Sequence, residues 1–277
     1  MKYAIAIRNM GPQSTRETIR GCARVAEQLG FDALFVSDHL CIPPDDTEGS
    51  DGRYLDVLAT LAYLAGATDR IRLGVSVLVL PYRPAVLTAK QVATIQELSG
   101  ERMILGVGVG WMKREFEALG VDKRLRGRMS NETLRVLRHL FSTQAQAYAG
   151  DLVKFPPFVF EPRPKCPPIW IGGNGDSAIA RVFEYGDGWH PMLPAEKLKP
   201  AVEGLKDTLK ARGRDEIDIV VRRGFRLDDI AGARARVAAE QDAGATYFIF
   251  DLGRYPSERE FAAQAEIFIS KIATRVA

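Results

Sequence analysis

Runs of apolar residues, broken at near-regular intervals by glycine, proline and charged positions, set the organisation of this chain. The stretch IRLGVSVLVLPYRPAVLTAKQVATIQELSGERMILGVGVGW, residues 71–111, shows the pattern most fully. Val75, Val77, Leu78, Val79 and Leu80 form a nearly unbroken, β-branched run, as in a strand covered on both faces; a half-solvated strand would alternate. The run predicts a strand over 71–80. Pro81 and Pro84 stop it, and Pro84 suits the first turn of a helix. Over 84–99, Val86, Leu87, Ala89, Val92, Ala93, Ile95 and Leu98 return at helical spacing, and Gly100 ends the helix. A second buried strand, 103–107, runs into Gly106, Gly108 and Gly110. These glycines either let a flat ring or a phosphate approach the backbone closely, or simply form a tight turn.

The same alternation fills the rest of the chain. Strands are predicted at 3–7, 33–36, 169–171, 188–190, 217–221 and 246–250. Helices are predicted between them, the first opened by a capping box of Ser14 and Glu17 and closed at Gly30. The others span 55–68, 113–119, 131–140 with Ser130 as cap, 177–186, 195–212, 229–243 and 257–273. The Pro-, Asp- and Gly-rich loop 41–53 has the length of a lid or wall. Residues 143–168 break the rhythm. Tyr148-Ala149-Gly150-Asp151 resembles a hairpin turn, and Phe155, Phe158 and Phe160 alternate around two prolines. This predicts an inserted hairpin over a barrel mouth or against a partner subunit. Eight strands alternating with helices predict an α/β fold, a closed (β/α)8 TIM barrel with a short hairpin insertion before strand five. A doubly wound open sheet fits less well, because glycine-rich turns follow strands four and five but not strand one. No linker divides residues 1–277, so a single domain is expected.

Composition narrows the partners. The chain has 277 residues, 46% of them hydrophobic, and a net charge of +3. That charge is too mild to argue for nucleic acid. The densest basic cluster, Lys123, Arg124, Arg126 and Arg128, reads as a solvated loop before a helix or as a site for the anionic tail of a ligand. Cys22, Cys41 and Cys166 lie far apart without metal-type spacing, which points to a reducing compartment. MKYAIAIRNM lacks the apolar core of a signal peptide, and no apolar run approaches the length of a bilayer span. A cytoplasmic protein acting on a small molecule, away from membranes, is expected.

In parallel barrels ligands bind at the carboxyl ends of the strands, so polar residues there are the candidates for chemistry. Ser37-Asp38-His39 closes strand two. A histidine near neutral pKa can take or give a proton, and Asp38 can anchor hydrogen bonds, although neighbours on a strand point opposite ways. The plainer reading is a loop cap beside a packed polar residue. Gly172-Gly173-Asn174-Gly175 joins strand five to a helix, where backbone N–H groups hold a phosphate well. Trp111 follows the strand-four glycines, and Trp189-His190 ends strand six. Trp111 and His190 are candidates for a substrate pocket, with wall packing as the alternative. His139 lies inside an amphipathic helix and reads as structural. No HExxH, CxxC, GxSxG or Walker pattern occurs, so metalloprotease, dithiol, serine hydrolase and P-loop chemistry have no support, and no metal site is expected.

The opening strand, LGFDALFVSDH, IRLGVSVLVLPYRPAV, GERMILGVGVGW followed by Glu115-Phe116, PPIWIGG and GDGW lie in order along most of the chain. With these pieces the sequence resembles the bacterial-luciferase-like (luciferase-like monooxygenase) superfamily, and most closely its coenzyme F-420-dependent oxidoreductases. The resemblance implies a barrel, usually a homodimer, with a deazaflavin (coenzyme F-420) or FMN at the carboxyl mouth. It implies that Asp38 and His39 flank the ring as catalytic residues. Ser76 and Val77 would form a non-prolyl cis peptide backing the ring. Val109 and Gly110 would line the cofactor, and Gly172, Gly173 and Asn174 would bind its phosphate. The function implied is hydride transfer to or from a small organic substrate, with an FMN-dependent monooxygenase or a non-catalytic ligand-binding barrel as alternatives. Two positions depart from the deazaflavin dehydrogenases. Trp111 stands where they often carry a glutamate after strand four, with Glu115 a weak substitute, and no tryptophan lies between Leu40 and Arg53.

Overall fold

The computed structural model describes residues 1–47, 49–142, 147–214 and 216–273. In chain order its strands are β1 (Lys2–Ala6), β2 (Ala33–Val36), β3 (Arg72–Val79), β4 (Met103–Gly108), the short pair β5 (Tyr148–Ala149) and β6 (Lys154–Phe155), β7 (Ile169–Gly172), β8 (Gly188–His190), β9 (Asp218–Gly224) and β10 (Tyr247–Asp251). The helices are α1 (Arg16–Gln28), α2 (Val57–Ala65), α3 (Ala85–Leu98), α4 (Lys113–Ala118), α5 (Arg126–Ser142), α6 (Asp176–Tyr185), α7 (Ala195–Ala211), α8 (Ile230–Asp242) and α9 (Glu258–Ile267). Eight strands close a barrel in the order β1-β10-β9-β8-β7-β4-β3-β2, and each runs parallel to its neighbours. The expected (β/α)8 architecture is present. Among the described residues, no helix is long and apolar enough to cross a membrane.

Two apolar layers explain why these strands read as continuous hydrophobic runs. Alternate residues face inward and outward. Ala4, Ala6, Ala33, Phe35, Ile104, Trp170, Val220, Tyr247 and Ile249 fill the barrel interior. Their neighbours, such as Leu34, Leu105, Ile171, Val221 and Phe248, pack outward beneath the helices. The small alanines of β1 and β2 leave room for large rings: Phe35 stacks on Trp170 at 5.5 Å, and Trp170 meets Tyr247 edge-on at 4.9 Å. Two residues further along each strand the inward position turns polar or becomes glycine. Phe35 is followed by Ser37, Ile104 by Gly106, Trp170 by Gly172, Val220 by Arg222 and Ile249 by Asp251. An apolar plug therefore carries a polar layer at the carboxyl mouth.

The β3–β4 pairing slips between Val75 and Leu78, and the Ser76–Val77 peptide there is cis. The bulge settles the role of two glycines. A Cβ on Gly106 would lie 2.2 Å from the Val75 carbonyl oxygen, and one on Gly108 would lie 2.6 Å from a Val77 methyl. Gly106 and Gly108 make room for β3.

Several local expectations are corrected. Thr15, not Ser14, caps α1, accepting from the Thr18 N–H; the Ser14 hydroxyl instead bonds the Gly11 carbonyl at 2.7 Å. Ser130 lies inside α5, which begins at Arg126, and its hydroxyl bonds back to the Arg126 carbonyl at 2.8 Å. The basic cluster is therefore a 3-10 turn (Lys123–Leu125) and the first turn of α5, not an irregular loop. The second helix is shorter than 55–68 because Asp56 caps it at the Ala59 N–H. Residues 143–146 of the insertion lie outside the described residues. The rest packs on α5: the Tyr148 hydroxyl donates to Glu132, and His139 lies beside the Tyr148 and Phe155 rings. Tyr148 and Phe155 of the hairpin thus lie against α5.

Gly106→Ala drives a Cβ into backbone that cannot swing aside, so we expect a loss of about 1–3 kcal/mol in unfolding free energy. Gly204→Ala in α7, where a Cβ meets nothing within 4 Å, should be neutral or stabilising by up to about 1 kcal/mol. Urea denaturation midpoints for the two variants check this; a Gly106→Ala midpoint equal to wild type would show that the bulge yields freely.

Candidate active site

Three polar groupings meet at the mouth. The first is built on β2 and α4. The chain leaves β2 through Ser37-Asp38-His39, and the Asp38 and His39 side chains diverge, as the strand period requires. His39 Nδ1 lies 2.7 Å from Glu115 Oε2. Glu115 is fully buried. It also accepts from the Tyr82 hydroxyl at 2.9 Å and from the backbone N–H groups of Leu40 at 2.7 Å and Cys41 at 3.2 Å. Burial alone would raise its pKa. The His39 hydrogen bond, the two N–H donors and the His39 charge outweigh this and hold the carboxyl below its usual range. Tyr82 is pushed the other way, by burial and by the bond it donates to Glu115. An ionised carboxylate only accepts, so His39 Nδ1 carries the proton that faces it. The imidazole stands edge-on to Tyr54 at 5.1 Å and to Trp111 at 6.1 Å between centroids.

The second grouping takes Asp38 away from the mouth. Asp38 accepts two parallel bonds from Arg83, both 2.8 Å, and a third from the Val79 N–H at 2.9 Å. Arg83 also reaches Asp56, the cap of α2, at 2.9 Å. Burial would depress the guanidinium pKa, but Asp38 and Asp56 hold it above its ordinary value. The expected catalytic role for Asp38 is not what its geometry offers, because both oxygens are engaged in this buried clamp. It ties the end of β2 to the end of β3 and to α2.

The third grouping lies inside the barrel. His190 Nδ1 sits 3.0 Å from the Val220 carbonyl, which can only accept, so Nδ1 carries the proton and Nε2 is an acceptor. The Ser76 hydroxyl, 2.8 Å away, therefore donates to Nε2. Arg222 reaches the other side of Ser76, donating to its carbonyl at 3.1 Å and to the Ser37 hydroxyl at 3.1 Å. Asp251 receives the rest of the guanidinium at 2.8 and 2.9 Å. Burial works to raise the Asp251 pKa, and the Arg222 charge and the Gly253 N–H bring it below the usual range. His190, expected in a substrate pocket, is only 6% exposed and uses both ring nitrogens, so it supports the bulge from below.

Of the remaining candidates, Val109 and Gly110 lie just past β4. A Cβ on Gly110, whose φ is +78°, would crowd Val79 and Phe116. Trp111 stands on the rim, 56% exposed. Gly172 ends β7, and Gly173 donates to the His190 carbonyl and accepts from the Trp189 indole at 2.8 Å. Asn174 accepts from the Met192 N–H at 2.7 Å. Gly175 then opens α6, whose N-terminus has no side-chain cap, and a Cβ on Gly175 meets nothing within 4 Å. A helix N-terminus without a side-chain cap fits a phosphate, although Asp176 in the first turn opposes one. Among the described residues, no group of three or more His, Cys, Asp or Glu is placed to hold a metal. A hollow of about 440 Å³ lies off the mouth, lined by residues such as Arg16, Arg53 and Tyr63.

Arg83, Tyr82, Arg222 and Asp251 were absent from the sequence candidates, and Glu115 was only a weak one. Arg222 and Asp251 carry a usable signal: each stands two residues past an interior apolar position on its strand. Arg83 and Tyr82 follow a strand that ends in an ordinary proline turn, and their one signal is their place in the stretch IRLGVSVLVLPYRPAV that carries the resemblance.

Comparison with known proteins identifies the family. The luciferase-like monooxygenase family model matches residues 1–268. The chain is 32% identical over 203 residues to an F-420-dependent glucose-6-phosphate dehydrogenase of Kineococcus radiotolerans, covering 69% of this chain and 58% of that one. It is 30% identical over 226 residues to the 5,10-methylenetetrahydromethanopterin reductase of Methanolobus tindarius, covering 79% and 64%. Among solved structures it superposes on the monooxygenase RslO1 of Streptomyces bottropensis with a TM-score of 0.83 at 17% identity, over 98% of both chains. It superposes on the oxygenating constituent of 3,6-diketocamphane monooxygenase of Pseudomonas putida, solved with FMN, with a TM-score of 0.79 at 14% identity, over 100% and 99%. The chain belongs to the luciferase-like monooxygenase family and is an oxidoreductase of that family.

The buried His190 is held to a pKa of about 4, chiefly by burial, then by the charges of Arg222 and Arg223, against the Val220 carbonyl. Its folded value lies below the free value of 6.5, so the unfolded chain binds this proton first as pH falls. Stability from this group is complete above about pH 6.5 and drains away towards pH 4, by on the order of 3 kcal/mol in all. His190→Asn, which keeps a donor for Val220, should flatten the slope of unfolding free energy over that window. Denaturation at half-unit pH steps, wild type against variant, measures it, and parallel curves would refute the assignment.

Proposed function

For this member of the luciferase-like monooxygenase family, we propose an F-420-dependent oxidoreductase that moves a hydride to or from a carbon of a small organic substrate. The observation that carries the reading is the juxtaposition of the Ser76–Val77 bulge, the uncapped Gly172–Gly175 cradle and the His39–Glu115 pair around one barrel mouth. The similarity to an F-420-dependent dehydrogenase supports the deazaflavin over other rings. When bound, the deazaflavin supplies a ring carbon that takes up or releases a hydride.

In this reading Ser76, Val77, Val109 and Gly110 would hold the ring, and Gly172, Gly173 and Asn174 would hold its phosphate. Arg222 and His190 grip Ser76 from two strands, so the platform is in place before anything binds, which lowers the cost of ordering it. Glu115 fixes the proton on His39 Nδ1, which makes Nε2 the atom that exchanges the substrate proton. The carboxylate also steadies the imidazolium while it is charged. Trp111 and Tyr54 flank that imidazole and shield the exchange from bulk water. Asp38 acts at one remove, by clamping the strand ends through Arg83. A homodimer in the cytoplasm completes the proposal.

A second reading, FMN-dependent monooxygenation, is favoured by Trp111 in the place of the glutamate that deazaflavin dehydrogenases often carry. Oxygen consumption with FMN and a reductase would reveal it.

The first test is to mix the purified protein with F-420 or FMN, dialyse, and record absorbance. Retention of F-420 without FMN is expected; FMN retained alone moves the assignment to the monooxygenase. On the best substrate from a panel of alcohols, aldehydes and enones, His39→Asn should lower kcat by roughly 10²–10⁴-fold while the cofactor stays bound. Glu115→Gln should cost less, roughly tenfold to a hundredfold, because it removes the partner and leaves the base. An unchanged rate for His39→Asn would remove this residue from the proton path.

A further inference from the structure

One oxygen of Glu115 is shared. His39 Nδ1 lies 2.7 Å from Oε2, and the Tyr82 hydroxyl donates to the same atom at 2.9 Å. The other oxygen takes the N–H groups of Leu40 and Cys41, at 2.7 and 3.2 Å. A carboxylate offers about four lone-pair sites, and four donors occupy them here. Three of these donors belong to the chain segment that carries His39. Tyr82 comes from elsewhere, the 3-10 turn Leu80–Tyr82 that follows β3.

The phenol is held in place from both sides. Its ring stands edge-on to Phe116 at 5.1 Å. Around it, the Val79 N–H is bonded to Asp38, and Arg83 to Asp38 and Asp56. The Asp38 clamp therefore secures the backbone that carries Tyr82.

Sharing one oxygen has an electrostatic consequence. A protonated His39 and the Tyr82 hydroxyl present positive hydrogens to the same atom of a buried carboxylate. Each weakens the hold of that atom on the other, and burial makes the effect larger than in water. The neighbouring groups are neutral or paired elsewhere. Burial, then the Glu115 charge, push the Cys41 thiol above its usual range. Tyr54 meets the imidazole edge-on. On α4, Lys113 pairs with Glu117 and Arg114 with Asp45, and Asp38 is matched by Arg83. Among the described residues, the carboxylate in contact with His39 is Glu115, and the side chain that shares it is Tyr82.

Resting on the reading above in which His39 moves the substrate proton, we propose that Tyr82 is a positioning residue of the reaction. By sharing Glu115 Oε2 with His39, its hydroxyl limits how tightly the carboxylate holds the imidazolium, so that the proton is given up as readily as it is taken. Tyr82 acts through Glu115 and not on the substrate.

Histidine-labelled protein followed by NMR against pH tests this without turnover. The chain has three histidines, and the signal lost in His39→Asn identifies the one of interest. Tyr82→Phe keeps the ring against Phe116 and removes only the donor. The His39 midpoint should rise by about half to one pH unit, roughly a threefold to tenfold tighter hold on the proton. The limb of kcat/KM that His39 sets should move alkaline by the same amount. A ring-fluorinated tyrosine at position 82, a stronger donor, should move both the other way, and it serves should Tyr82→Phe not fold. A His39 midpoint that stays put in these variants overturns the proposal, whatever stability they lose, and leaves the reading of His39 standing. A midpoint that moves while the rate profile does not overturns the proton role of His39 on which the proposal rests, and leaves only the coupling of the three side chains.

Discussion

The guanidinium of Arg222 holds the polar layer of this barrel together. It lies above an apolar plug of aromatic and aliphatic side chains, paired with Asp251 and spread over the Ser37 hydroxyl and the Ser76 carbonyl. A half-buried cation without such partners would be costly. With them it fixes three strand ends at once, and His190 secures the same serine from a fourth. The bulge of β3 and the glycines of β4 that accommodate it are thereby seated on a rigid base.

Next to this layer, the two residues after Ser37 serve different ends. Asp38 is committed to a forked ion pair with Arg83 that welds β2 to β3 and to the cap of α2. His39 turns to the mouth, where the buried Glu115 sets its tautomer. Adjacent positions on a strand cannot share a face, so one carboxylate supports the scaffold and another, from a helix far along the chain, attends the histidine. The carboxylate absent after β4 is thus not absent from the mouth, since one arrives from α4 a turn later.

The rim then divides by charge. Its centre is a platform of small and aliphatic residues, with buried, fully paired polar groups beneath it. Its edge past β7 is a helix start without a side-chain cap.

Much of this was legible without coordinates. Continuous apolar runs over residues such as 75–80 and 103–107 specify strands buried on both faces, and their alternation with helices specifies a closed parallel barrel. Gly172-Gly173-Asn174-Gly175 and Ser37-Asp38-His39 were legible as strand ends carrying polar residues, because local composition alone marks such ends. Helix starts were legible only to within a few residues: Thr15 replaced Ser14 and Arg126 replaced Asn131, since several nearby polar residues could each have closed the first turn. The partners at the mouth were not legible. His39 and Glu115 are 76 residues apart, and Arg222 and Ser76 are 146 apart. What the chain determined by itself was the period, the order and the polarity of its strands. Which side chains meet, and so which carboxylate serves the histidine and which the scaffold, was decided only when barrel closure and strand register brought distant strand ends to the same height.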